Sequence, residues 1–111
     1  MIVVISPSKT LDCKTPSIVK KHSTPELLAY SRQLVEQCRK LDSAHISDLM
    51  KVSGKIADLN VKRFAEWDSE LTPTNAKQAI LAFKGDVYSG LDAETFGDFD
   101  FDFAQSKLRI L

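Results

Sequence analysis

The chain opens on Ile2-Val3-Val4-Ile5, four β-branched residues in succession, and closes the run at once with Ser6-Pro7. Such side chains lose rotamer freedom in a helix and pack well on a pleated surface, so the run reads as a strand. A strand that is apolar on both faces needs cover on both faces, which favours a parallel partner and flanking helices. The second strand candidate is Ala79-Ile80-Leu81-Ala82-Phe83, whose continuous apolar character suits a strand buried in the same way. The expected fold is therefore helix-rich α/β, with two short parallel strands at about residues 2–5 and 79–83 and four to five helices, a helix-hairpin-helix-like pair among them.

The helices announce themselves between the strands. Thr24-Pro25-Glu26 looks like a helix start, with an N-cap hydroxyl, proline in the first turn and an acid at the positive end of the dipole. Leu27, Leu28, Leu34, Val35, Cys38 and Leu41 follow at helical spacing. Asp42 or Ser43 caps a second, short helix carrying Ile46, Leu49 and Met50, and a third runs from Gly54 to about Trp67 with Ile56, Leu59, Val61 and Phe64 as apolar positions. Thr74 or Asn75 caps a further turn. A last helix, from about Asp100, sets Phe101, Ala104, Leu108 and Leu111 on one face and has no glycine to end it. Two short strands and an unfinished helix make a poor stopping place for an α/β domain, so residues 1–111 are expected to be the N-terminal portion of a longer domain. A fragment with an open face is also expected to self-associate.

Composition narrows the function. With 43% apolar and 27% charged residues the chain belongs with globular proteins. No apolar run approaches the about 20 residues of a membrane span, and the opening run is too short for a signal-peptide core. No membrane partner is expected, and the expected location is the cytoplasm. Cys13 and Cys38 are too few for a disulfide framework and lack metal-ligand spacing, which suggests free, buried thiols. Net charge is zero, yet residues 1–67 carry +4 and residues 68–111 carry −4, so a basic first half has the sign to meet phosphate.

The segment with the clearest mechanism is Leu49-Met50-Lys51-Val52-Ser53-Gly54-Lys55-Ile56-Ala57, between the second and third helices. It resembles a helix-hairpin-helix element, in which a tight turn presents backbone N–H groups at a helix N-terminus to a DNA phosphate. Lys51, Ser53, Gly54 and Lys55 would form that contact, the two lysines adding charge. The usual hairpin glycines are Lys51 and Ser53 here, with Gly54 one place late. Phosphate contacts of this kind are not sequence-specific. An ordinary connection between two amphipathic helices accounts for the same residues.

A second cluster follows from the strands. If residues 2–5 and 79–83 are parallel neighbours, Ser6, Lys9 and Thr10 emerge at the same sheet edge as Lys84, with Asp86 and Tyr88 beside them. The carboxyl ends of parallel strands are where ligands gather, so this group is an anion or ligand site. Alternatively, two close cations would lower a lysine pKa and prepare Lys9 or Lys84 as a nucleophile, with Asp86 and Tyr88 assisting. Ser6-Pro7-Ser8-Lys9 has the spacing of a serine–lysine acyl-transfer pair, but Pro7 opposes the helical turn that such a pair needs. Asp98, Asp100 and Asp102 would share a face only in a strand. On a helix they are read as dipole partners, and no metal site or cofactor is expected. Trp67 and the phenylalanines read as core.

Two long blocks, Ile2-Val-Val-Ile-Ser-Pro-Ser-Lys-Thr-Leu11 and Ala79-Ile-Leu-Ala-Phe-Lys-Gly-Asp-Val-Tyr-Ser-Gly-Leu91, together with Ala57-Asp-Leu-Asn60 and Asp100-Phe-Asp-Phe-Ala-Gln105, resemble the YaaA family along the whole chain. Members of that family continue well beyond this length. The resemblance implies a role in hydrogen peroxide resistance, by keeping unincorporated iron low and so limiting damage to DNA and protein. It also implies DNA binding through a helix-hairpin-helix element and a basic cleft. The alternative is a lysine-dependent enzyme acting on a nucleotide or a damaged base. Whether the chain is an enzyme at all stays open, with binding favoured.

Overall fold

The computed structural model describes all residues, Met1 to Leu111. They form two compact units: Met1–His22 with Thr72–Leu111, and Ser23–Leu71. The architecture is mixed α/β, with one short parallel strand pair, as the sequence suggests.

In the first unit, β1 (Val3–Ile5) pairs in parallel with the C-terminal strand (Leu108–Ile110), in the register Val3 to Leu108 and Ile5 to Ile110. The intervening strands β2 (Thr10–Leu11) and β3 (Phe83–Lys84) form a separate antiparallel pair, with Thr10 opposite Lys84. The terminal strand is thus β4. The parallel partner of β1 is not residues 79–83. Ala79–Ala82 coils into a single helical turn, and only Phe83 and Lys84 are extended. Of the five residues only Ile80 is β-branched, whereas alanine and leucine are good helix formers, and a short apolar run does not by itself distinguish a strand from a buried turn. The turn places Leu81 and Ala82 in the core.

The last helix also ends sooner than its apolar stripe suggests. It runs Asp98–Lys107, after which Leu108 leaves helical geometry for β4, so Leu108 and Leu111 are not on its face. Pairing with β1 offers Leu108-Arg109-Ile110 a backbone ladder, and the alternating exposure of these residues fits a strand. Phe101 stacks edge-on against Phe96 at 5.5 Å, but Phe99 and Phe103 are exposed, contrary to a core reading of every phenylalanine. The first strand is not buried on both faces either, Val3 and Val4 being 43% and 54% exposed in a sheet of only two strands. Cys13 is exposed and Cys38 half-buried, both free, so the buried-thiol reading fails for Cys13.

The second unit consists of three helices in succession: α1 (Leu28–Cys38), α2 (Ser43–Met50) and α3 (Gly54–Glu66). The first begins later than the Thr24-Pro25 signal, because Glu26 and Leu27 form a turn ahead of it and no side chain caps it. It ends at Cys38, before Leu41. Its inward stripe is Leu28, Ser31, Val35 and Cys38, which leaves Leu27 and Leu34 exposed. Ile46 from α2 and Ala57 from α3 are completely buried and form the centre of the unit. Arg39, just past α1, donates from Nε to the Phe64 carbonyl (2.8 Å) and from Nη2 to the Trp67 carbonyl (2.6 Å). It thereby satisfies carbonyls at the end of α3 that the helix itself leaves unpaired.

Candidate functional site

The α2–α3 hairpin is built from its caps. Asp42 begins α2 as an N-cap, its carboxylate accepting from the His45 N–H at 2.9 Å. That bond, the largest cause, holds the Asp42 carboxyl below its usual range. At the other end, the Val52 N–H donates to the Ser47 carbonyl (3.2 Å) and the Ser47 hydroxyl to the Val52 carbonyl (2.6 Å). This is the six-to-one closure of a Schellman turn, which requires a left-handed residue just after the helix. Lys51 is that residue, with φ 53° and ψ 49°. The chain therefore puts a lysine where the hairpin pattern has its first glycine. Ser53, at the second glycine position, has ordinary extended geometry (φ −65°, ψ 157°) and needs no glycine.

Ser53 is the residue from which α3 springs. Its side chain makes no capping bond, and the first intrahelical bond runs from the Ala57 N–H to the Ser53 carbonyl at 2.9 Å. The backbone N–H groups from Ser53 to Ile56 accordingly lie ahead of the first intrahelical donor, the Ala57 N–H, at the positive end of a helix of 13 residues. Lys55 stands exposed in this first turn without an ion-pair partner, whereas the Lys51 ammonium pairs with Asp48 at 2.6 Å. Lys51, Ser53, Gly54 and Lys55 are thus brought together on one turn. The surrounding charge is not basic. Ser23–Leu71 carries seven Lys or Arg against eight Asp or Glu, so the +4 of the sequence's first half is not a property of this unit. Any attraction for anions is local to the turn.

In the other unit, Ser6, Lys9, Thr10, Lys84, Asp86 and Tyr88 are divided among several tasks. The Tyr88 hydroxyl donates to the Ser6 carbonyl at 2.8 Å, its ring stacks on Phe83 at 5.3 Å, and burial raises its pKa. It is a structural pin and does not open to solvent beside Lys84. The Lys84 ammonium bonds the Glu94 carboxylate at 2.6 Å, and that bond raises its pKa against a smaller opposing effect of burial. An amine nucleophile needs the reverse. Lys9 is exposed and unpaired, and Asp86 sits exposed in the first turn of the helix Asp86–Leu91. Thr10 faces Lys84 across the β2–β3 ladder, so the expected nearness of the two blocks holds, through antiparallel and not parallel pairing.

The feature that sequence reading overlooked here is Lys77 with Asp12. Lys77 is 8% exposed at its side chain, and its ammonium donates to the Asp12 carbonyl at 3.1 Å. The Asp12 carboxylate also accepts the Lys14 and Thr15 N–H groups (3.1 and 3.0 Å). Contacts from Thr15, with smaller help from Lys14 and Lys77, lower its pKa to about 2. Asp12-x-Lys14-Thr15 is a local turn signature that sequence alone shows, whereas its pairing with Lys77 is not visible there. Beside Lys84 and Glu94 lies a shallow cavity of about 320 Å³, walled by Ile80, Phe83, Tyr88 and Asp92. Asp100 accepts the Gly97 N–H at 2.9 Å and Asp102 pairs with Lys21, so two of the three alternating acids have structural partners.

Over residues 1–111 the sequence matches the family described as Peroxide stress protein YaaA. The chain belongs to that family. Membership links it to the peroxide stress response, and the match takes in the hairpin and both β-strand blocks, so both clusters are parts of a family domain.

Proposed function

We propose that this chain acts in the peroxide stress response as a DNA-associated protein, its α2–α3 hairpin gripping the phosphate backbone without sequence preference. The observation that carries the reading is the left-handed Lys51 at the end of α2. A non-glycine residue adopts this geometry at a cost, yet it gives the turn that sets uncapped N–H groups at the head of α3 beside Lys51 and Lys55. Such a terminus favours an anion through both its free donors and its dipole, and phosphate is the anion that DNA presents. Association with DNA puts the protein where peroxide and iron do their damage. Limiting unincorporated iron, and a cytoplasmic location, belong to the same proposal through the family resemblance.

The test is fluorescence anisotropy of the chain with labelled duplex and single-stranded DNA across a salt series. Each phosphate contact on duplex should add about 0.9 to the logarithmic salt slope. Lys51→Ala and Lys55→Ala should each weaken binding and flatten that slope, for every sequence tried. Absence of binding at low salt would overturn the proposal.

A further inference from the structure

We propose that Asp48 is a built-in competitor for the phosphate that the hairpin receives, holding the Lys51 ammonium until nucleic acid displaces it. The inference rests on the DNA-binding reading above and names a residue that tunes it. The Asp48 carboxylate bonds the Lys51 ammonium at 2.6 Å, and both side chains are about four-fifths exposed. The position is not one that helix stability selects. Asp48 lies in the last turn of α2, where the helix dipole disfavours an acid, and that turn has no basic residue of its own. Its carboxylate accepts from the Lys51 ammonium.

The chemistry of the pair is that of the proposed ligand. A carboxylate oxygen and a phosphate oxygen accept the same charge-assisted hydrogen bond from an ammonium group, so Asp48 occupies Lys51 in the way a backbone phosphate would. An exposed pair of this kind is weak and exchanges readily. The left-handed backbone of Lys51 sets the direction in which its stem leaves the turn that precedes α3. Because the whole unit has one more acid than base, the disposition of this one carboxylate bears directly on whether phosphate can approach.

The experiment measures duplex DNA affinity by anisotropy for the wild-type chain, Asp48→Asn, Lys51→Ala and the double variant, with circular dichroism confirming that all four fold. Asp48→Asn should bind about three- to fourfold more tightly, about 1.7-fold from releasing the exposed pair and about twofold from removing a negative charge beside the incoming phosphate. Its salt slope should steepen by up to about 0.9 as one more cation meets phosphate. In the Lys51→Ala background the same substitution should change affinity by about twofold or less, since the coupling has gone. An equal gain in both backgrounds would reduce Asp48 to bulk charge, and no gain in either would remove it from the interface, so both overturn the inference while leaving hairpin binding intact. If none of the four binds duplex, the hairpin reading itself falls, and this inference with it.

Discussion

Lys51→Gly and Ser53→Gly separate the hairpin's geometry from its resemblance to a sequence pattern. The pattern places glycine at both positions, but the backbone demands it only at the first, where φ is 53° against −65° at the second. A left-handed residue other than glycine costs about 1–2 kcal/mol. Glycine adds roughly 0.5–1 kcal/mol of backbone entropy lost on folding. The exposed Lys51–Asp48 pair, 78% and 84% accessible, returns only about 0.3 kcal/mol. Lys51→Gly should therefore stabilise the chain by about 0.5 kcal/mol, or about 2–4 °C in Tm. Ser53→Gly has no strain to relieve and should lower Tm by a similar amount, about 2–4 °C. Thermal unfolding followed by far-UV circular dichroism reads both variants. If both fall together, Lys51 is not left-handed and the hairpin is not built as described. Lys51→Gly should also weaken DNA binding while raising Tm, so stability and affinity move in opposite directions.

Gly85 has φ 120°, and a Cβ there would lie 3.2 Å from the Ser8 hydroxyl, so Gly85→Ala should destabilise by roughly 1–3 kcal/mol. Gly90, inside a helix with open space around it, should instead gain about 0.5–1 kcal/mol on change to alanine, and denaturant midpoints of equal magnitude and sign would refute the contrast. Ile46 is fully buried between α2 and α3, so Ile46→Ala should cost about 2–5 kcal/mol and Ile46→Val about 0.5–1.5. Urea unfolding that is insensitive to both would exclude Ile46 from the core. Asp12 has its carboxyl lowered from 3.8 to about 2, so the folded state binds fewer protons than the unfolded state. Its stabilisation is complete above the unfolded value and is lost as pH falls from 3.8 towards about 2. Asp12→Asn should flatten stability across that window, and an unchanged acid limb would show that the Thr15 and Lys77 contacts contribute nothing.

Where sequence reading succeeded, a local signal and the tertiary fold agreed. Asp42 and Ser43 both offered a cap that needs nothing distant, and Asp42 takes the position. Ile46, read as an apolar position of α2, is buried, whereas Ile56 and Leu59, read as apolar positions of α3, are 45% and 46% exposed and Ala57 packs inside instead. The failures came where a short apolar run admitted two conformations. Ala79–Ala82 coils because its alanines and leucine favour a helix, and the strand partner of β1 comes instead from Leu108–Ile110, some hundred residues away along the chain. Leu108 follows a helical stripe, and only β1 diverts it. Both glycine positions of the hairpin looked equally foreign to the pattern, since a sequence does not print φ. Lys84 could not be read as reactive or structural until Glu94 appeared beside it, and Lys77 carried no sequence signal at all until Asp12 did.

The most direct test of the account follows backbone amides by NMR while a short duplex DNA is added to the isotopically labelled chain. The amides of Ser53, Gly54, Lys55 and Ile56, ahead of the first intrahelical donor at Ala57, should shift most, with Lys51 close behind. The shifts should be the same for duplexes of unrelated sequence and should fade with added salt. Shifts confined to β1, β4 or the Lys84–Glu94 cavity, with the α3 N-terminus unmoved, would contradict it.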